Sequence, residues 1–157
     1  MIMAGPVSSS SPDGPGWFGY IAFGVFACFV VWVLVQDWKR TKEIRQYAQS
    51  KGFTYIGAAL PKSFPFSQTS VSRVRSITNA VAGDQSGKEL LLFDCILGSD
   101  KGRRTQTVVA VRATEKSFGP ARFGPFLMTE EAGDWALVYR PNQLLPLEEI
   151  DALVADI

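Results

Sequence analysis

From Trp17 to Val35 the chain reads WFGYIAFGVFACFVVWVLV, with no charged residue, no side-chain amide and no proline. At about 1.5 Å of rise per residue, a helix of this length covers close to the ~30 Å hydrocarbon core of a bilayer. The segment therefore predicts a transmembrane helix over 17–35, with the lipid bilayer as its partner. A cleaved signal peptide would carry a basic leader, an apolar stretch of about 7 to 15 residues and a small-residue cleavage site. Here the leader MIMAGPVSSSSPDGPG has no Lys or Arg, and Gln36-Asp37-Trp38-Lys39-Arg40 follows the apolar run, so a retained anchor is expected.

Orientation follows from the cations, because Lys and Arg close to a span are held on the cytoplasmic side during insertion. Lys39, Arg40, Lys42, Arg45 and Lys51 all come after the run, and only Asp13 is charged before it. The N-terminus is expected outside and the C-terminal part in the cytoplasm. Trp17, Phe18 and Tyr20 at one end, and Trp32 and Trp38 at the other, suit the two headgroup layers. Gly24 and Cys28 lie four apart, a small-xxx-small spacing that leaves a homo-oligomer through this helix open.

Histidine is absent from the whole chain. That removes Ser-His-Asp and Cys-His catalysis, which need an imidazole to move the proton, and the usual ligands of catalytic zinc. The two cysteines, Cys28 in the apolar run and Cys95 well beyond it, build neither a disulfide nor a structural zinc site, which suits a reducing compartment. Gly83-Asp84-Gln85-Ser86-Gly87-Lys88-Glu89 falls short of a phosphate-binding loop, with three residues between its glycines and a glutamate after its lysine. No catalytic, cofactor-binding or metal-binding residue is singled out. A net charge of +1 and cations that do not interleave with aromatics argue against nucleic acid as a partner.

The remaining organisation reads as α+β. Residues 1–16, rich in Ser, Pro and Gly, are expected as a disordered non-cytoplasmic tail. A juxtamembrane helix over 36–52 should continue the anchor as a stalk, since Lys39 and Glu43 form an i,i+4 pair and Gly52 stands at a C-cap position. Roughly 120 residues follow the span, enough for one core. They are read as a cytoplasmic domain over 53–157: a small antiparallel sheet with a C-terminal helix packed on it. Predicted strands are Phe53 to Ile56, Arg75 to Asp84, Glu89 to Leu97, Thr105 to Arg112, Arg122 to Thr129 and Trp135 to Arg140. Leu60 to Phe66, with two prolines, reads as a loop. Pro146 opens the closing helix, on which Leu147, Ile150, Leu153 and Val154 make one apolar stripe.

The stretches Asn79-Ala80-Val81-Ala82-Gly83, Leu91-Leu92-Phe93-Asp94 and Arg103-Arg104-Thr105-Gln106-Thr107-Val108-Val109-Ala110-Val111-Arg112 resemble a group of uncharacterised bacterial membrane-anchored proteins. These carry a G…FD…QTVVAVR hairpin region after one or two hydrophobic spans and a basic stretch. Cys95 and Ile96 stand where such proteins often have an aromatic residue. The resemblance implies a similar fold and a bacterial inner-membrane location, and it implies no activity.

Two sets of residues are candidates for a role. Alternation along Leu90, Leu92 and Ile96 puts Asp94 on an aliphatic face, where an unpaired carboxylate is costly to bury, so it needs a cation. Arg75 or Arg112 on a neighbouring strand is expected to supply it, as a structural ion pair or at the sheet's margin, with a small polar site of Asp94, Arg75 and Arg112 as the alternative. The second set is cationic: Lys39, Arg40, Lys42 and Arg45 after the span are placed to touch anionic headgroups, and Lys101, Arg103 and Arg104 at a hairpin tip either do the same or form a solvated turn that protects the hairpin. From Glu130 onward seven acids face one cation, Arg140, so an acidic end is expected to stand away from the bilayer. The expected function is binding by a single-pass inner-membrane protein, as anchor, adaptor or accessory subunit to a protein partner. A carboxylate- or lysine-based enzyme on a membrane-held substrate, and a structural membrane oligomer, are the alternatives.

Overall fold

The computed structural model describes residues 17–98, 102–112 and 126–156. The expected tail over 1–16, Lys101, and the first half of the strand expected over 122–129 lie outside them. The architecture is α+β: helix α1 (Trp17–Lys51), six strands, and helix α2 (Leu147–Ala155). The strands are β1 (Thr54–Gly57), β2 (Val74–Gln85), β3 (Lys88–Leu97), β4 (Arg104–Arg112), β5 (Met128–Ala132) and β6 (Trp135–Tyr139). They form one sheet in the order β1-β2-β3-β4-β6-β5, with every neighbouring pair antiparallel. The chain divides into two compact units at the junction of Lys39 and Arg40.

In the first unit, the helix from Trp17 carries large apolar side chains that are solvent-exposed, including Phe23, Phe26, Phe29, Val31 and Trp32. Among the described residues, α1 is the one helix long and apolar enough to cross a membrane.

The second unit begins inside the same helix. Ile44, Tyr47 and Ala48 are buried at helical spacing, so the part expected as a stalk contributes to the core of the domain. The helix ends in a Schellman motif. Gly52 takes φ +73°, the Phe53 N–H donates to the Ala48 carbonyl at 2.8 Å, and the Gly52 N–H donates to Gln49 at 3.2 Å. Only a residue without a Cβ adopts that conformation at no steric cost.

Both faces of the sheet are covered. One packs Val81, Leu90, Leu92, Val109 and Val111 against Ile44, Tyr47 and Ala48 of α1 and Ile150, Leu153 and Val154 of α2. The other packs Leu91, Phe93, Cys95, Val108 and Ala110 against Phe64, Val71 and Trp135. The cover on this second face includes the Pro-containing connection before β2, which carries two short 3-10 turns, Phe66–Gln68 and Ser70–Arg73. The Phe64 ring meets Phe93 and Trp135 edge-on, with centroids 5.8 and 5.3 Å apart. This double burial explains why Leu90–Leu91–Leu92–Phe93 is continuously apolar: alternate side chains enter different cores.

Candidate functional site

The polar centre of the domain is built on Asp94, which sits in the middle strand of the meander with its side chain 6% exposed. Its cation is Arg40, 15% exposed, from the helix. The Arg40 Nε donates to Oδ2 at 3.2 Å and Nη2 approaches Oδ1 at 3.4 Å. Asn79 Nδ2 donates to Oδ2 at 3.1 Å, and the Thr107 hydroxyl donates to Oδ1 at 2.6 Å. Each carboxylate oxygen therefore receives two donors, which fills the roughly four acceptor positions an ionised carboxyl offers.

Four elements place these groups: α1 carries Arg40, β2 Asn79, β3 Asp94 and β4 Thr107. Thr107 lies directly opposite Asp94 in the β3–β4 register, so their side chains share a face. Asn79 sits at an irregularity in the β2–β3 ladder between Thr78 and Val81, with φ 53°. Asparagine is among the few residues other than glycine that tolerate this left-handed conformation, and such a bulge re-aims the side chain toward the carboxylate. The Asn79 Oδ1 in turn accepts from the Tyr55 hydroxyl at 3.3 Å, and the Arg45 guanidinium lies 4.6 Å from the Tyr55 ring centroid.

The cluster also secures the segment before α2. Arg40 Nη2 donates to the Leu145 carbonyl at 2.9 Å, while the Leu145 N–H donates to the Thr107 hydroxyl at 3.0 Å. The Thr107 N–H reaches the Gln143 carbonyl at 3.1 Å, and the Asn142 N–H reaches Gln106 Oε1 at 3.1 Å. One guanidinium thus ties together a helix, two strands and a loop.

This corrects the expected pairing. Asp94 draws its cation from α1, and neither Arg75 nor Arg112 supplies it. Arg112, at the far end of β4, pairs with Glu89 and Asp134, which hold its guanidinium further in the charged form, while its own hydrogen bond draws the Asp134 carboxyl down. Arg75 is exposed on β2, where it lines an open recess of about 430 Å³ with Ser76, Ile96 and Arg103. Arg40 is likewise removed from the cations expected at headgroups, because its guanidinium is spent inside the domain. Lys39, Lys42, Arg45, Arg103 and Arg104 are exposed.

A sequence signal for Arg40 existed. It precedes Ile44 by four residues and Tyr47 by seven, so it occupies the buried face of the helix. A cation at such a position needs a buried carboxylate, and Asp94 is the acid that alternation had already placed inside.

The charge imbalance after Glu130 is also smaller in three dimensions than along the chain. Glu149 pairs with Arg140, Asp151 with Lys51, and Asp134 with Arg112. Glu130 accepts from the Ser70 N–H and hydroxyl and from Tyr139, holding the second 3-10 turn. Beside Asp94, the buried Cys95 thiol is pushed up to about 12, first by burial and then by the neighbouring carboxylate charge, so it stays protonated and unreactive near neutrality. Among the described residues there is no group of three or more His, Cys, Asp or Glu able to hold a metal ion. No family model, curated protein or solved structure matches this chain.

Proposed function

We propose that this chain is a single-pass protein of the bacterial inner membrane, akin to the membrane-anchored group its hairpin region resembles. Its N-terminus lies outside and its α+β domain lies in the cytoplasm. The domain works by binding, holding a protein partner at the membrane as an anchor, adaptor or accessory subunit. The observation that carries the reading is the exposed apolar run of α1, followed at once by Lys39 and Lys42. An apolar surface of that extent on a soluble chain requires a partner, and lipid satisfies it along the whole run.

Binding is favoured over catalysis by the state of Asp94. A general base needs a lone pair free for the substrate's proton, and here Arg40, Asn79 and Thr107 occupy all four. With no histidine in the chain, the buried polar centre is better suited to holding the domain's shape.

The test uses the full chain with a C-terminal tag. Protease added to intact spheroplasts should leave the domain whole, and carbonate should fail to extract the protein. Digestion of the domain from outside, or a mature N-terminus downstream of Val35, overturns the reading. Gentle detergent extraction should bring down a protein partner in fixed proportion. Turnover of small anionic metabolites by purified protein with nothing bound would favour an enzyme instead.

A further inference from the structure

The point at which the chain enters its second unit selects one end of the sheet. That point is Arg40, and Arg40 is bonded to Asp94, three positions before β3 ends at Leu97. Leu97 pairs with Val74 at the start of β2 and with Arg104 at the start of β4. The chain therefore enters beside the sheet end formed by these three strand termini. The Gln85–Lys88 turn and the Glu89, Arg112 and Asp134 group mark the opposite end.

The entering end is cationic and concave. Arg75 and Ser76 near the start of β2, Ile96 near the end of β3 and Arg103 just before β4 line the recess of about 430 Å³. Arg104 stands exposed next to it. Two guanidiniums, with five donors each, and one hydroxyl make a set suited to phosphate oxygens, and Arg matches that geometry better than Lys.

If 17–35 spans the bilayer, the stretch from Val35 to Arg40 measures at most about 18 Å even fully extended, so Arg40 itself stays within that distance of the headgroups.

We infer that the Arg75–Ser76–Ile96–Arg103 recess binds the phosphate of an anionic phospholipid headgroup, docking the domain on the leaflet through which its anchor enters. This rests on the single-pass reading above. The ligand chemistry is a phosphodiester anion, and the membrane is its source. Lipid binding here leaves the opposite end of the sheet for the protein partner.

The test places the full-length chain in phosphatidylcholine nanodiscs containing increasing phosphatidylglycerol and follows amide hydrogen exchange. Exchange over 74–76, 96–98 and 102–104 should slow as anionic lipid rises, while exchange at the 85–88 turn should not change. Each of Arg75→Gln and Arg103→Gln should raise the phosphatidylglycerol needed for half-maximal protection by about fivefold, the factor that corresponds to one cation at an anionic surface. Unchanged exchange over 90–93 verifies that each variant is folded. Three results overturn the inference: equal exchange in both lipids, protection indifferent to both substitutions, or full protection by inorganic phosphate in neutral discs with nothing added by anionic lipid. Failure of the chain to remain in any disc overturns the anchor reading instead, so the two failures are distinguishable.

Discussion

The two halves of α1 invert the usual relation between composition and burial. From Trp17 to Val35 the helix is almost wholly apolar, yet Phe23 is 72% exposed; from Arg40 to Lys51 it is mostly polar, yet Ile44 is fully buried at 0%. Composition says what a segment avoids, and periodicity says which face it buries. The first half has no polar stripe to turn outward, so only a solvent that is apolar on all sides suits it. The second half has a narrow apolar stripe of Ile44, Tyr47 and Ala48, with Arg40 in line, and that stripe matches one face of a sheet.

The sharpest way to break this comparison is to remove the acid that holds the second half. Asp94→Ala strands the Arg40 guanidinium without its counter-charge and should cost about 3–5 kcal/mol. Urea unfolding of the full chain in neutral detergent reads this directly. A paired Asp94→Leu, Arg40→Leu variant should recover much of the loss, since neither partner is then left as a buried lone charge. Equal destabilisation of the single and double variants would mean that the cluster matters for shape and not for charge.

Truncating an apolar residue in each half comes next. Ile44→Ala should destabilise the domain by about 2–5 kcal/mol, whereas Phe23→Ala should leave domain unfolding within roughly 0.5 kcal/mol. A comparable loss from Phe23→Ala would show that the first half is packed against protein.

Alkali should act on the second unit with a smaller and graded effect. Tyr47 is pushed from 10.0 up to about 12, by burial and then by Asp151, and Cys95 from 9.0 up to about 12. Both are more easily deprotonated in the unfolded chain, so the stability they lend is complete below about pH 9 and is lost as pH rises through 9 to 12. Thermal unfolding measured from pH 7 to 11 should fall only above 9, and maleimide should label Cys95 at pH 8 only after the domain unfolds. The smallest effect belongs to Arg112→Gln, which breaks exposed pairs with Glu89 and Asp134 and should leave the melting temperature unchanged within error. A large drop there, beside a small one for Arg40→Gln, would reverse the assignment of the structural cation.

Much of the secondary structure was legible before any coordinates. The Gly52 stop, the β2–β3–β4 meander and the stripe on α2 all follow from local signals: a left-handed cap, alternating runs between turn residues, and 3.6-residue spacing. The connection over 58–73 was not legible as a lid over half the core. It has no period of its own, and Phe64 and Val71 are buried only because the sheet's second face needs covering. The last strand pair was shifted, because Met128–Ala132 pairs with β6 across the turn at Gly133 and takes its register from Trp135–Tyr139. Alternation alone places Asp94 inside, whereas its partner comes from the helix: on the adjacent strand Arg112 lies five positions beyond Thr107, the residue opposite Asp94.

By itself the sequence determined the apolar run, the sidedness of the cations around it, the absence of imidazole chemistry, and the α+β order of elements, all of which are local or compositional properties. Only the tertiary structure decided which cation meets Asp94, which loop closes the second core, and which arginines share a recess. Each of those joins residues tens of positions apart, through helix phase and strand register, and their cost of assembly is met by burial that no local window contains.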